Sequence, residues 1–132
     1  MNESRKKKIL IVDDDPGDIL LLRKILEPDY LVIAASDCRE AMAVVNVQCP
    51  DLVLLDVMMP RHSGYTLCVL MKCNPSMKDI PVVMVTGLNT EMNKMIGKNM
   101  GADDYLVKPI QVNKLRNIIL ELLMGKHQPM EC

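Results

Sequence analysis

Leu52-Val53-Leu54-Leu55-Asp56 is a run of four apolar residues that ends, without a break, in a carboxylate. An apolar run of this length reads as a strand covered on both faces, as strands of parallel sheets are. An Asp at its end is costly unless the charge has a partner or a task. The same event recurs along the chain. Ile9-Leu10-Ile11-Val12 runs into Asp13-Asp14-Asp15, Val82-Val83-Met84-Val85 into Thr86-Gly87, and Tyr105-Leu106-Val107 into Lys108-Pro109. If these strands are parallel, their polar ends share one edge of one sheet. Carboxylates, a hydroxyl and an ammonium then meet in one cleft.

Between the strands lie helical patterns. Asp15-Pro16 reads as an N-cap and first helical position, followed by Ile19, Leu22, Ile25 and Leu26 on one face, with Pro28 as the stop. Tyr30 to Ala35 reads as a second strand. Asp37 and Glu40 have the spacing of a capping box ahead of the stripe Cys38, Ala41, Met42 and Val45. A third helix is expected from about Gly64 to Cys73. Asn89 or Thr90 caps a fourth, whose apolar positions include Met92, Met95 and Ile96. Gly97 weakens that helix by up to roughly 1 kcal/mol relative to Ala, and Gly101 ends it. Val112, Leu115, Ile118, Ile119, Leu122 and Leu123 mark the fifth. The resulting βαβαβαβαβα pattern implies an α/β fold, a doubly wound parallel five-stranded sheet with helices on both faces. Such sheets bind ligands at the carboxyl ends of their strands, where the strand order reverses.

The 132 residues suffice for one domain, and 49% hydrophobic with 25% charged residues is an ordinary globular composition. A net charge of −1 supplies no basic field for nucleic acid, so no direct nucleic-acid binding is expected. No apolar run approaches the roughly 18 residues of a membrane span, and the basic start Met1 to Lys8 lacks a signal-peptide pattern. The expectation is a cytoplasmic protein with no membrane association. Five cysteines without metal-ligand spacing read as reduced small hydrophobes. Twelve Met with no Phe or Trp read as a core filled by thioethers.

Two carboxylates about 4 Å apart repel by about 4 kcal/mol at an effective dielectric of 20. Asp13, Asp14 and Asp56 together therefore call for a cation, and an all-oxygen donor set suits Mg²⁺. Taken alone, Asp13 to Asp15 also reads as an acidic turn at a helix N-terminus. Lys108 either neutralises the carboxylates or holds an incoming anion. Thr86 either caps its strand or donates to a phosphoryl oxygen. A carboxylate nucleophile, a divalent metal, a lysine and a hydroxyl suit phosphoryl transfer with Asp56 as acceptor.

The motifs Ile-Leu-Ile-Val-Asp-Asp-Asp at 9–15, Asp-Val-Met-Met-Pro at 56–60 with Gly64, Val-Thr-Gly at 85–87 and Gly-Ala-Asp-Asp-Tyr-Leu-Val-Lys-Pro at 101–109 occur in this order. Together they resemble the receiver domain of bacterial two-component response regulators. The resemblance covers about Lys8 to Leu123. It implies a receiver domain over residues 6–124, with flexible tails at 1–5 and 125–132, and the flavodoxin-like strand order 2-1-3-4-5. Asp56 would be the phosphoacceptor for a histidine kinase or histidine phosphotransfer protein. Asp13, Asp14, Asp56 and the backbone carbonyl of Met58 would hold Mg²⁺. Lys108 would pair with the phosphoryl group, and Thr86 and Tyr105 would be the switch residues of a helix 4–strand 5–helix 5 face that binds a downstream effector. The resemblance also implies a phosphorylation-dependent dimer as one form of response, and no catalysis beyond the chain's own phosphorylation and dephosphorylation. The alternative is the receiver part of a longer regulator with DNA-binding or enzymatic output.

A phosphatase of the haloacid dehalogenase type would need a second Asp two residues after the nucleophile, where Met58 stands. A nucleotide- or flavin-binding site would need a phosphate-cradling loop, and Asp13-Asp14-Asp15 repels phosphate.

Overall fold

The structure, a computed structural model, describes residues 6–58, 64–87 and 90–125. Ten elements alternate in order: β1 (Lys8–Val12), α1 (Pro16–Leu26), β2 (Leu31–Ala35), α2 (Cys38–Gln48), β3 (Leu52–Leu55), α3 (Gly64–Lys72), β4 (Val82–Thr86), α4 (Glu91–Asn99), β5 (Asp104–Val107) and α5 (Val112–Leu123). All strand pairings are parallel, and the sheet order is β2-β1-β3-β4-β5. The expected fold class and strand order are both observed. Element ends differ from expectation by a residue or two, as at β2, which begins at Leu31, and α3, which ends at Lys72.

The period-two alternation of each strand divides the core in two. On one face, Ile9, Ile11, Leu52, Leu54, Val83, Val85 and Leu106 pack against α1 and α5 through Leu22, Ile25, Leu26, Leu115, Ile118 and Ile119. On the other, Leu10, Val12, Val53, Leu55, Val82, Met84 and Tyr105 pack against α2 and α3 through Ala41, Val45, Leu67, Cys68 and Met71. Both faces of β3 are thus covered, which is why its four residues are all apolar.

Local signals work mostly as read. The Asp15 side chain accepts from the Gly17 N–H at the head of α1, and Thr90 caps α4 by accepting from the Asn93 N–H at 3.1 Å. Asn89, the other candidate cap, lies outside the described residues, as do the expected tails apart from Gly125. The capping box at α2 is shifted by one residue. Asp37 accepts from the Glu40 N–H at 2.8 Å, but the Glu40 carboxylate reaches back to the Ser36 N–H at 2.7 Å. The apolar positions of α4 do not form a buried stripe. Met92 is 71% exposed and Met95 is exposed, while Gly97 is the buried residue of this helix. Gly101 follows α4 with φ +101°, a conformation that favours glycine. Lys108-Pro109 is a cis peptide. Of the cysteines, Cys38 and Cys68 are buried thiols and fit the small-hydrophobe reading; Cys49 and Cys73 are exposed free thiols and do not.

Candidate functional site

Strand order reverses between β1 and β3. From β1 the chain goes out to β2, then returns to the other side of β1 as β3. The register pairs Val12 with Leu55, and the Asp56 N–H donates to the Val12 carbonyl at 2.9 Å. Asp13 and Asp56 therefore leave the sheet side by side. Asp14, one residue on, turns its carboxylate to the same place. Asp13, Asp14 and Asp56 each offer an oxygen, and these three oxygens lie within 4.8 Å of one another.

Both buried carboxylates are held at each oxygen. Asp13 (2% exposed) accepts from the Asp15 N–H through Oδ1 at 2.9 Å and from Lys108 Nζ through Oδ2 at 3.0 Å. Asp56 (6% exposed) accepts from the Met58 N–H through Oδ1 at 2.9 Å and from Lys108 Nζ through Oδ2 at 3.0 Å. Lys108 arrives from the end of β5, where its N–H donates to the Thr86 carbonyl at 2.8 Å. It makes a third bond, to Asp18 in the first turn of α1, at 2.6 Å. One ammonium thus spends its three donors on three carboxylates from three elements.

Burial and pairing compete here. At Lys108 burial acts to lower the pKa, but the bonds to Asp18, Asp13 and Asp56 outweigh it and the pKa is raised. At Asp13 burial wins: its pKa is raised despite the Asp15 N–H and Lys108, and the Asp56 charge adds to the rise. Removing the charge of a carboxylate from this edge, or bringing a cation to it, relieves the same repulsion. The donor set is oxygen only and fits a hard divalent cation. That is the chemistry of a metal site built on the named residues.

Close approach completes the edge. A Cβ added at Gly64, the first residue of α3, would lie 2.5 Å from the Asp56 carbonyl oxygen and 2.8 Å from Val57 Cα. The chain can enter α3 against the Asp56 backbone because residue 64 has no side chain.

Thr86 ends β4, fully buried. Its neighbour in register is Val107, and Met84 pairs with Tyr105. Alternation puts Thr86 on the same sheet face as Met84 and Tyr105, diagonal to Tyr105 across adjacent strands. Tyr105 is 6% exposed. Its phenol pKa is raised, first by burial and then by Tyr65 and the Asp56 charge.

The structure brings Asp13, Asp14, Asp56 and Lys108 together and puts Thr86 one residue from the Lys108 strand end, at the same edge. Met58 follows Asp56 with its N–H turned to that carboxylate and its side chain exposed. Two contributors escaped the sequence reading. Asp18 looks like an ordinary acid in a helix first turn, and nothing local in the sequence points to Lys108. Tyr65 carries no signal at all in sequence.

The model of the response regulator receiver domain family matches residues 9–120 of this chain. The alkaline phosphatase synthesis transcriptional regulatory protein PhoP of Bacillus subtilis is 37% identical over 118 residues, 89% of this chain and 48% of PhoP. The signal receiver domain of a signal transduction histidine kinase from Syntrophus aciditrophicus is 33% identical with a TM-score of 0.83, covering 96% of each chain. A two-component response regulator from Clostridium difficile is 28% identical with a TM-score of 0.84, covering 92% of this chain and 99% of that one. The chain spans about half the length of the first curated relatives it matches. No helix among the described residues is long and apolar enough to cross a membrane.

Proposed function

The chain belongs to the response regulator receiver domain family, and on that premise we propose that it is a phosphorylation-dependent switch whose phosphoacceptor is Asp56. The observation that carries the reading is the held carboxylate. Asp56 sits at the strand-order reversal with one oxygen on the Met58 N–H, the other on Lys108 and two further carboxylates beside it. In the transfer, an Asp56 oxygen forms a bond to phosphorus as the P–N bond to a phosphohistidine breaks and the imidazole leaves. Asp13, Asp14 and Asp56, with the Met58 backbone carbonyl, would hold Mg²⁺, which supplies charge neutralisation for the transferring group. Lys108 supplies the second positive charge, and its bond to Asp56 already aims it at the reacting atoms. Thr86 donates to the phosphoryl group, and Tyr105 answers on the same sheet face, so that the surface of α4, β5 and α5 changes its affinity for a partner.

The donor of the phosphoryl group is a histidine kinase or histidine phosphotransfer protein in the cytoplasm, and the receiver of the signal is an effector protein or domain or a second copy of the chain. The chain acts catalytically only on its own phosphorylation and dephosphorylation. A second reading, the receiver part of a longer regulator with DNA-binding or enzymatic output, is favoured by the half-length match to curated relatives named as transcriptional regulators. In both readings the described domain itself contacts no nucleic acid.

The test is intact mass after incubation with acetyl phosphate and Mg²⁺, beside Asp56→Asn and an EDTA control. A gain of one phosphoryl group in the wild type that is absent from both controls is expected. A gain that persists in Asp56→Asn would move the acceptor elsewhere, and no gain even with a panel of histidine kinases would refute the switch reading.

A further inference from the structure

We propose that Gly97 and Tyr65 form a seat that fixes the Tyr105 ring in its inward position, so that the placement of this residue is set by α3 and α4. The inference deepens the switch role given to Tyr105 above, and its test runs on protein never exposed to a phosphodonor.

Gly97 stands in the interior of α4, where glycine is the poorest residue after proline. Its surroundings account for it. A Cβ added there would lie 3.1 Å from Tyr105 Cδ2, 3.3 Å from Cε2 and 3.2 Å from Met84 Sδ. The tyrosine ring and the methionine sulfur occupy the space that a side chain would take. Met84 is wholly buried, so a displaced sulfur stays within the core, whereas the ring reaches the surface at 6% exposure. The far end of the ring is also held. The Tyr105 side chain is hydrogen-bonded to Tyr65, and the Tyr65 hydroxyl donates to the Asn93 carbonyl at 3.3 Å. Asn93 and Gly97 are four residues apart, one turn on the same side of α4. One helix therefore receives the ring at Gly97 and, through Tyr65, anchors its hydroxyl. The raised phenol pKa of Tyr105 agrees with a buried, hydrogen-bonded ring.

Two consequences distinguish a seat from ordinary close packing. A side chain at position 97 moves the Tyr105 ring specifically, and it does so at the expense of the helix propensity that alanine would otherwise add. Loss of the Tyr65 hydroxyl loosens the ring without adding volume.

The experiment is nitration by tetranitromethane, mapped by peptide mass, on wild type, Gly97→Ala, Gly97→Val and Tyr65→Phe, with cooperative melting followed by circular dichroism in parallel. In the wild type Tyr105 nitrates far more slowly in the native protein than in urea. Its native rate is expected to rise in Gly97→Ala and by roughly tenfold or more in Gly97→Val, the scale of population change that overpacking brings. A smaller rise is expected in Tyr65→Phe. Tyr30, which lies on the other face of the sheet, keeps its rate in every variant. Should Gly97→Val fail to fold, the alanine and phenylalanine variants still decide. Tyr105 equally protected in wild type, Gly97→Ala and Tyr65→Phe would overturn the proposal, as would a wild-type Tyr105 no slower in the native protein than in urea. Because no phosphoryl group is involved, failure of Asp56 as acceptor leaves these outcomes untouched.

Discussion

Gly64→Ala is the substitution whose cost is most directly written in the geometry. The added Cβ would meet the Asp56 carbonyl oxygen at 2.5 Å, Val57 Cα at 2.8 Å and the Asp56 carbonyl carbon at 3.0 Å. All three are backbone atoms, and none can rotate away as the end of a side chain can. Non-bonded carbons settle at roughly 3.5–4.0 Å, so the shortfall against the nearest atoms is close to an ångström. Overpacking costs about 1–3 kcal/mol, and a rigid backbone neighbour puts this case at the upper end. Alanine returns up to roughly 1 kcal/mol of helix propensity, less at the first residue of a helix. The net loss is about 2 kcal/mol. With a urea slope of about 1–3 kcal/mol/M the unfolding midpoint falls by about 1 M. Gly17→Ala is the control: its Cβ would make only ordinary contact, 3.6 Å from Asp15 Oδ1, and its midpoint stays at or slightly above that of the wild type. The strain in Gly64→Ala falls on the Asp56 backbone, so divalent-cation affinity measured by calorimetry drops as well. A Gly64→Ala protein that unfolds with the wild type would refute the close-approach argument.

Lys108→Met leaves Asp13 and Asp56 buried without their shared cation, and truncating one partner of such a cluster costs about 3–5 kcal/mol; its exposure of 21% puts the loss toward the lower figure, and chemical denaturation in EDTA should show it, with Mg²⁺ restoring more stability to this variant than to the wild type. Asp14→Asn removes an exposed carboxylate from a crowded group and is expected to raise stability in EDTA by about 1 kcal/mol, while Mg²⁺ stabilises it less than the wild type; thermal melts in both buffers check this. Alkylation with iodoacetamide at pH 8 separates the thiols: exposed Cys49 and Cys73 react in the native protein, whereas Cys38 and Cys68 wait for denaturant, Cys68 because burial, with the Asp103 charge, pushes its thiol up to about 11.

The sheet was legible because each strand announces itself by an apolar run and each run ends in a polar residue. The carboxyl edge followed from that alone: Asp13, Asp56 and Lys108 meet where parallel strands require them to. The α4 region was read less well. Met92 and Met95 have helical spacing, which suggests a buried stripe, yet they face solvent, because the helix turns its glycine to the sheet to make room for Tyr105. Periodicity reports which residues share a face, and here the small residue, not the large ones, marks the buried side. Asp18 was missed for a different reason. Its partner Lys108 lies 90 residues away, and an acid in a first helical turn already has a sufficient local explanation. Tyr65 likewise acts across elements, on Tyr105 and Asn93, and nothing in its own neighbourhood foretells it.

The reach of Lys108 also bears on the order in which the molecule is put together. Its bond to Asp13 spans 95 residues and closes the longest loop at the site. β5 is an edge strand that pairs only with β4, so the ammonium can be delivered only after β4 has joined β3. An assembling β2-β1-β3 unit has by then already brought Asp13 and Asp56 side by side, with no positive charge to separate them. If β1 and β3 pair before β4 and β5 are added, the repulsion between the two acids falls on that non-local step. On the proposed metal site, a divalent cation bound early would stand in for Lys108, so Mg²⁺ is expected to accelerate refolding as well as oppose unfolding; stopped-flow refolding in Mg²⁺ and in EDTA reads the difference, and equal rates would place the meeting of the two acids after the transition state.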